Sequence, residues 1–115
     1  MKYTLFLHSD ESAMADATPE DWEPVEKAFH AYTQALIDAG VFVATDWLKP
    51  SFTATTVTMK DGARRVQDGP FSTAKEQIGG YYVIEVPSLD VALDWAAKCP
   101  AAHVGVVEVR PSAMG

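Results

Sequence analysis

One cysteine, three histidines and nine basic side chains are all that 115 residues supply for disulfides, metal clusters and nucleic-acid contacts. With Cys99 alone, no intramolecular disulfide forms and no thiolate cluster can hold a metal. None of His8, His30 and His103 is spaced with another histidine as a helical metal pair, so no metal is expected. Lys and Arg number 9 against 16 Asp and Glu, a formal charge of −7. That balance argues against nucleic acid, whose phosphates must be neutralised. No apolar run approaches the roughly 20 residues of a membrane helix. An alternating strand pattern follows Met1, not a basic region and a signal-peptide core. The expected setting is the cytoplasm, with no membrane partner and no cofactor.

What is present fits one globular domain. A hydrophobic fraction of 48% is ordinary for such a domain, and the length supports a single core. Asp10, Glu11, Asp16, Glu20, Asp21, Glu23 and Glu26 gather early. Such a run suits either a basic partner or a solvated helix start favoured by the helix dipole. Ala97-Lys98-Cys99-Pro100 reads as the last turn of a helix stopped by proline. The dipole's negative end opposes thiolate formation there, so a packed structural cysteine is expected.

Lys2 to His8 alternates as a first strand, and Ser9 to Ala17 is a polar loop. Thr18-Pro19-Glu20-Asp21 starts a helix, with Thr18 as cap and Asp21 reaching back. Trp22, Val25, Phe29, Tyr32 and Leu36 recur at helical spacing until Gly40. Val41 to Leu48 is a second strand. Phe52 to Met59, a Lys60-Asp61-Gly62-Ala63 turn and Arg64 to Gln67 make a hairpin. Gly80 to Val86 is a strongly apolar strand. Ser88 caps a second helix that Pro100 closes, and Val104 to Arg110 is the last strand. The order is β-α-β, an inserted hairpin, then β-α-β. It predicts an α+β, ferredoxin-like antiparallel sheet with both helices on one face.

Strand alternation makes both sheet faces apolar. Tyr3, Leu5 and Leu7 oppose Phe6, and Tyr82, Ile84 and Val86 oppose Tyr81 and Val83. Two helices cover only one face. The open face predicts either a homodimer packed sheet to sheet, or burial under the inserted hairpin.

The same alternation sets Glu85 beside Tyr81 and Val83, and Glu108 and Arg110 beside Val106. Charges among apolar strand residues are costly unless paired or useful. If the two faces coincide, these charges line a ligand cavity at the dimer interface, or they form a structural Arg110–carboxylate pair. Asp46 lies on the second strand with no visible partner. His8 ends the first strand as a general base at a loop mouth, or as a strand-end residue bonded to backbone or water.

Gln67 to Tyr82 carries the most specific stretch, Asp68-Gly69-Pro70-Phe71, followed by Lys75-Glu76 and Gly79-Gly80. As a turn, Asp68 would bond backbone donors two residues on while Phe71 anchors the loop in the core. As a site, Asp68 and Glu76 are carboxylates at a pocket rim and Lys75 an anion contact. The glycine pair allows a close approach or a bulge.

This run, with Gly40-Val41, Leu93-Asp94-Trp95-Ala96-Ala97-Lys98-Cys99-Pro100 and Val107-Glu108-Val109-Arg110-Pro111, resembles the DGPF branch of the YCII-related family. The resemblance implies a ferredoxin-like fold that pairs into a dimeric α/β barrel, and a regulatory or stress role. Broader relatives include a lactone dehalogenase and proteins with a His–Asp pair: a helix-one histidine and an aspartate before the proline closing helix two. Here His30 lies near the first place, but Cys99 precedes Pro100, so the pair is broken. Two functions follow. One is a dimer that binds a small ligand or a regulatory protein partner, with Asp68, Phe71, Lys75, Glu76, Glu85, Glu108 and Arg110 as ligand contacts. The other is a lactone-type isomerase, lyase or dehalogenase using His8, Asp68 or Glu76 as acid–base groups.

Overall fold

Thr18 fixes where the long helix begins. Its hydroxyl accepts from the Asp21 N–H at 3.3 Å, and Asp21 Oδ2 accepts from the Thr18 N–H at 2.9 Å. That reciprocal cap satisfies two donors that a helix start otherwise leaves unpaired. Helix α1 then runs over Pro19–Asp38. It stops where Gly40 takes φ +73°, so that the Gly40 and Val41 N–H groups bond back to Ile37 and Leu36.

The computed structural model describes residues 1–115. Around α1 stand β1 (Lys2–Asp10), β2 (Phe42–Trp47), β3 (Thr55–Lys60), β4 (Ala63–Asp68), β5 (Glu76–Glu85), α2 (Leu89–Lys98) and β6 (Val106–Pro111). Short 3-10 turns occupy Glu11–Met14, Ser51–Thr53 and Pro100–His103. Four strands form one antiparallel sheet in the order β2-β5-β1-β6, and β3 and β4 pair separately. This is the expected ferredoxin-like sheet.

The helices cover one face. Tyr32 and Leu36 of α1 and Ala92 and Ala96 of α2 pack on Tyr3, Leu5, Tyr82 and Ile84. The Tyr32 hydroxyl donates to the Trp95 carbonyl at 2.7 Å, and the Tyr82 and Thr33 hydroxyls share a bond of 2.7 Å. Burial pushes both phenols up. Buried polar tips are thus paired, which fixes how α1 seats on the sheet.

Cys99 is fully buried in this core, and burial pushes its thiol up. Both effects hold back the thiolate. Ellman's reagent is therefore expected to titrate Cys99 at least about a hundredfold more slowly in the native protein than in guanidinium chloride. Equal rates would place the thiol at the surface.

Several boundaries differ from expectation. β1 continues past His8 to Asp10 and β5 begins at Glu76 instead of Gly80, because each strand completes the other's ladder. Phe52 falls in a 3-10 turn, and the first hairpin strand starts at Thr55. The hairpin does not lie over the open sheet face: β3 and β4 pair only with each other, and nearly all their side chains are exposed.

Candidate functional site

On the uncovered face, cross-strand register fixes which side chains are neighbours. Thr4 lies between Val83 and Arg110, and Phe6 between Tyr81 and Glu108. Asp46 sits opposite Tyr81 on the edge strand. Glu108 is the hub. Its carboxylate accepts from Arg110 Nη2 at 3.0 Å and lies 3.4 Å from His8 Nε2. The Arg110 guanidinium, also 5.6 Å from the Phe6 ring centroid, holds the Glu108 carboxyl below the usual carboxylate range, with His8 adding to the effect.

Glu85 does not join this group. It faces Lys2 across the β5–β1 ladder and lies 4.0 Å from the N-terminal ammonium. Strand β1 separates it from Arg110. Of the three charges assigned to this face, only Glu108 and Arg110 are therefore adjacent.

A bulge builds the rest of the site. Leu7 pairs with Gly80 but His8 pairs with Ile78, leaving Gly79 as the extra residue. That insertion reverses the alternation of β5. Ile78 and Glu76 thereby join the His8 side of the sheet, whereas strict alternation would send them to the helix side. Glycine is required beside the bulge at Gly80, where an added Cβ would meet the Asp46 carbonyl at 2.8 Å.

The outcome is a cavity of about 500 Å³ between the end of β1, the hairpin root and the turn after β4. His8, Glu76, Gln77, Ile78, Leu48 and Phe71 contribute to its wall. It offers an imidazole, a carboxylate and an amide beside apolar surface, the mixture that orients a small polar molecule. His8 stands between Glu108 and this cavity, so one imidazole nitrogen is held by a carboxylate at the site.

The turn itself is built differently from expectation. The Gly69 N–H donates to the Ala54 carbonyl at 2.7 Å, and the Thr56 hydroxyl to the Gly69 carbonyl at 2.8 Å. These bonds close the hairpin root, and the Asp68 side chain, exposed at the end of β4, makes none. Gly69 takes φ +97°, which turns the chain outward. Phe71 is consequently 90% exposed at the cavity rim and is no core anchor. Lys75 pairs with Asp10 at 3.5 Å. The Asp10 carboxyl is held low first by Ser12 and then by Lys75.

Two fasteners were not anticipated. Gln77 Nε2 donates to the Ser72 and Ala74 carbonyls, pinning the loop that carries Phe71. The Glu11 carboxylate accepts from the Ser51 N–H and hydroxyl, tying the first loop to the hairpin entry. The only sequence signal for the second was that Glu11 belongs to the early acidic run.

The YCII-related domain family matches residues 1–112. The chain belongs to this family. A relative, "Uncharacterized protein R00369" of Rhizobium meliloti (strain 1021), is 35% identical over 116 residues, covering 99% of this chain and 94% of that protein. Among solved structures, 5-chloro-2-hydroxyhydroquinone dehydrochlorinase (TftG) from Burkholderia phenoliruptrix AC1100, in complex with 2,5-dihydroxybenzoquinone, has a TM-score of 0.55 at 12% identity. That likeness covers 97% of this chain and 93% of the other, and it speaks for the fold alone.

Within this YCII-related chain, His30 is exposed on α1 and Cys99 is buried after α2. Neither lines the His8–Glu76 cavity.

Proposed function

We propose that this YCII-related chain, in the DGPF branch, is a cytoplasmic homodimer that binds a small polar ligand in the cavity between His8, Glu76 and Phe71. The observation that carries the reading is the convergence of those three side chains, from three separate segments, on one concave site. Glu76 is the acceptor for a ligand hydroxyl or amine, His8 a second polar contact, and Phe71 and Ile78 supply apolar surface.

Surface area supports the dimer. The chain exposes 8023 Å², whereas a compact monomer of this mass exposes about 6,200 Å². The excess, about 1,800 Å², is what each partner contributes to a large, permanent interface. The open sheet face, with Phe6, Tyr81 and Val83, is the surface such a partner covers.

Thermal unfolding against lactones, hydroxylated ring compounds and common metabolites tests the ligand site. A ligand at about 100 times its Kd stabilises the fold by roughly 2.7 kcal/mol. The shift is expected to vanish in Glu76→Gln and to shrink in Phe71→Ala. Phe71→Ala alone changes stability by less than about 0.5 kcal/mol, as for other exposed positions. A shift that survives both substitutions places the ligand elsewhere.

The contact between His8 and Glu108 favours a second reading, acid–base catalysis with His8 as the proton carrier and Glu108 orienting it. Turnover of a binding compound that is lost in His8→Asn, with binding retained, separates catalysis from binding.

A further inference from the structure

Beyond its root, the β3–β4 hairpin pairs with no other strand of its own chain. A lone two-stranded ribbon is marginal in water, and this one is fastened only at its root, through Gly69–Ala54 and Thr56–Gly69. One ribbon face carries Thr56, which lines the chain's own cavity. By alternation the opposite face carries Val57, Met59 and Val66, with Val57 directly across from Val66. These three side chains are 62%, 64% and 55% exposed. A continuous apolar stripe on an unsupported arm marks a contact surface.

We propose that this hairpin is an arm that docks, through Val57, Met59 and Val66, on a second copy of the chain. The inference rests on the dimer reading above and adds that the arm is part of the interface. The chain's shape favours that occupant: its radius of gyration is 16.0 Å, against about 13 Å for a compact domain of this length. Charge favours it too. The arm holds Lys60, Arg64 and Arg65 against Asp61 and Asp68, a net charge of +1, while the rest of the chain carries −8. A like copy therefore offers an acidic body to a basic arm, and the same body repels nucleic acid and anionic lipid. Because Thr56 and the motif loop share the arm's root, docking the arm also fixes the outer wall of the ligand cavity.

Limited trypsin digestion tests this, since Lys60, Arg64 and Arg65 are cleavage sites within the arm. Digestion is followed by mass spectrometry across protein concentrations that span dimer dissociation, with sedimentation velocity run in parallel. Cleavage in the arm is expected to slow at least about tenfold in the dimer, while cleavage at exposed Lys27 of α1 stays constant. Val57→Asp is expected to restore arm cleavage and weaken the dimer at least about tenfold, with an unchanged circular dichroism spectrum. Val66→Thr gives a milder version of the same result. A dimer whose arm is cut at the monomer's rate overturns the docked arm and leaves the dimer standing. A chain that stays monomeric at every concentration overturns both, and protection seen only with added DNA or anionic vesicles replaces the second copy with that partner.

Discussion

Leu5→Ala is expected to lower the unfolding free energy by about 3 kcal/mol, within the range of roughly 2–5 for fully buried leucines. Leu5 has no exposed surface and sits on β1, the strand flanked by β5 and β6. Its partners across the ladders are Tyr82 and Val109, and the helices close over it. Strand backbones hydrogen-bonded on both sides cannot collapse into the space left behind, so most of the cavity penalty persists. At about 4 °C per kcal/mol, the melting temperature falls by roughly 12 °C. Mutant and native protein must be compared at one concentration, because the proposed dimer would make melting depend on it. A drop below about 3 °C would mean that the core lies elsewhere.

Gly105→Ala is the second large effect, and it acts through the backbone. Gly105 leads into β6, with its N–H bonded to the Ala101 carbonyl at 2.9 Å. A Cβ built there overlaps the His8 carbonyl oxygen and crowds Ser9 Cβ at 3.2 Å. Since the obstacle is main chain, relief requires β6 to move away from β1. Such overpacking costs about 1–3 kcal/mol and more where the neighbour cannot give. The expected loss is about 3 kcal/mol, with a displaced His8 as a companion effect because its own backbone is the obstacle. Urea unfolding reports the first effect and the His8 imidazole resonances report the second. Unchanged values for both would mean that the β1–β6 junction is looser than described.

Local chemistry made the framework legible. Thr18 and Asp21, Gly40, Ser88 and Pro100 each act within a few residues of themselves, so their roles at helix ends are readable from the chain alone. Alternation likewise grouped Tyr81 with Val83 and Glu108 with Arg110 within their own strands, and register brings both groups, with Phe6, onto one face. Alternation is silent on distance across a sheet. Glu85 shares that face, yet it pairs with the N-terminus because strand order sets β1 between it and Arg110.

Phe71 shows another limit. An aromatic residue after a tight turn is ordinarily an anchor, but its burial depends on where the hairpin goes. Here the hairpin root is closed by backbone bonds and Gly69 directs the chain outward. No local pattern encodes that direction.

By itself the sequence determined the β-α-β order with its inserted hairpin, the two helix caps, the apolar core face and the candidates His8 and Glu76. Only the tertiary structure decided that these two line one cavity. The deciding feature is the extra residue at Gly79, which reverses the phase of β5 relative to β1 and swings Glu76 and Ile78 to the side of His8. Hydrophobic periodicity is a property of one strand, whereas a bulge exists only in the pairing of two.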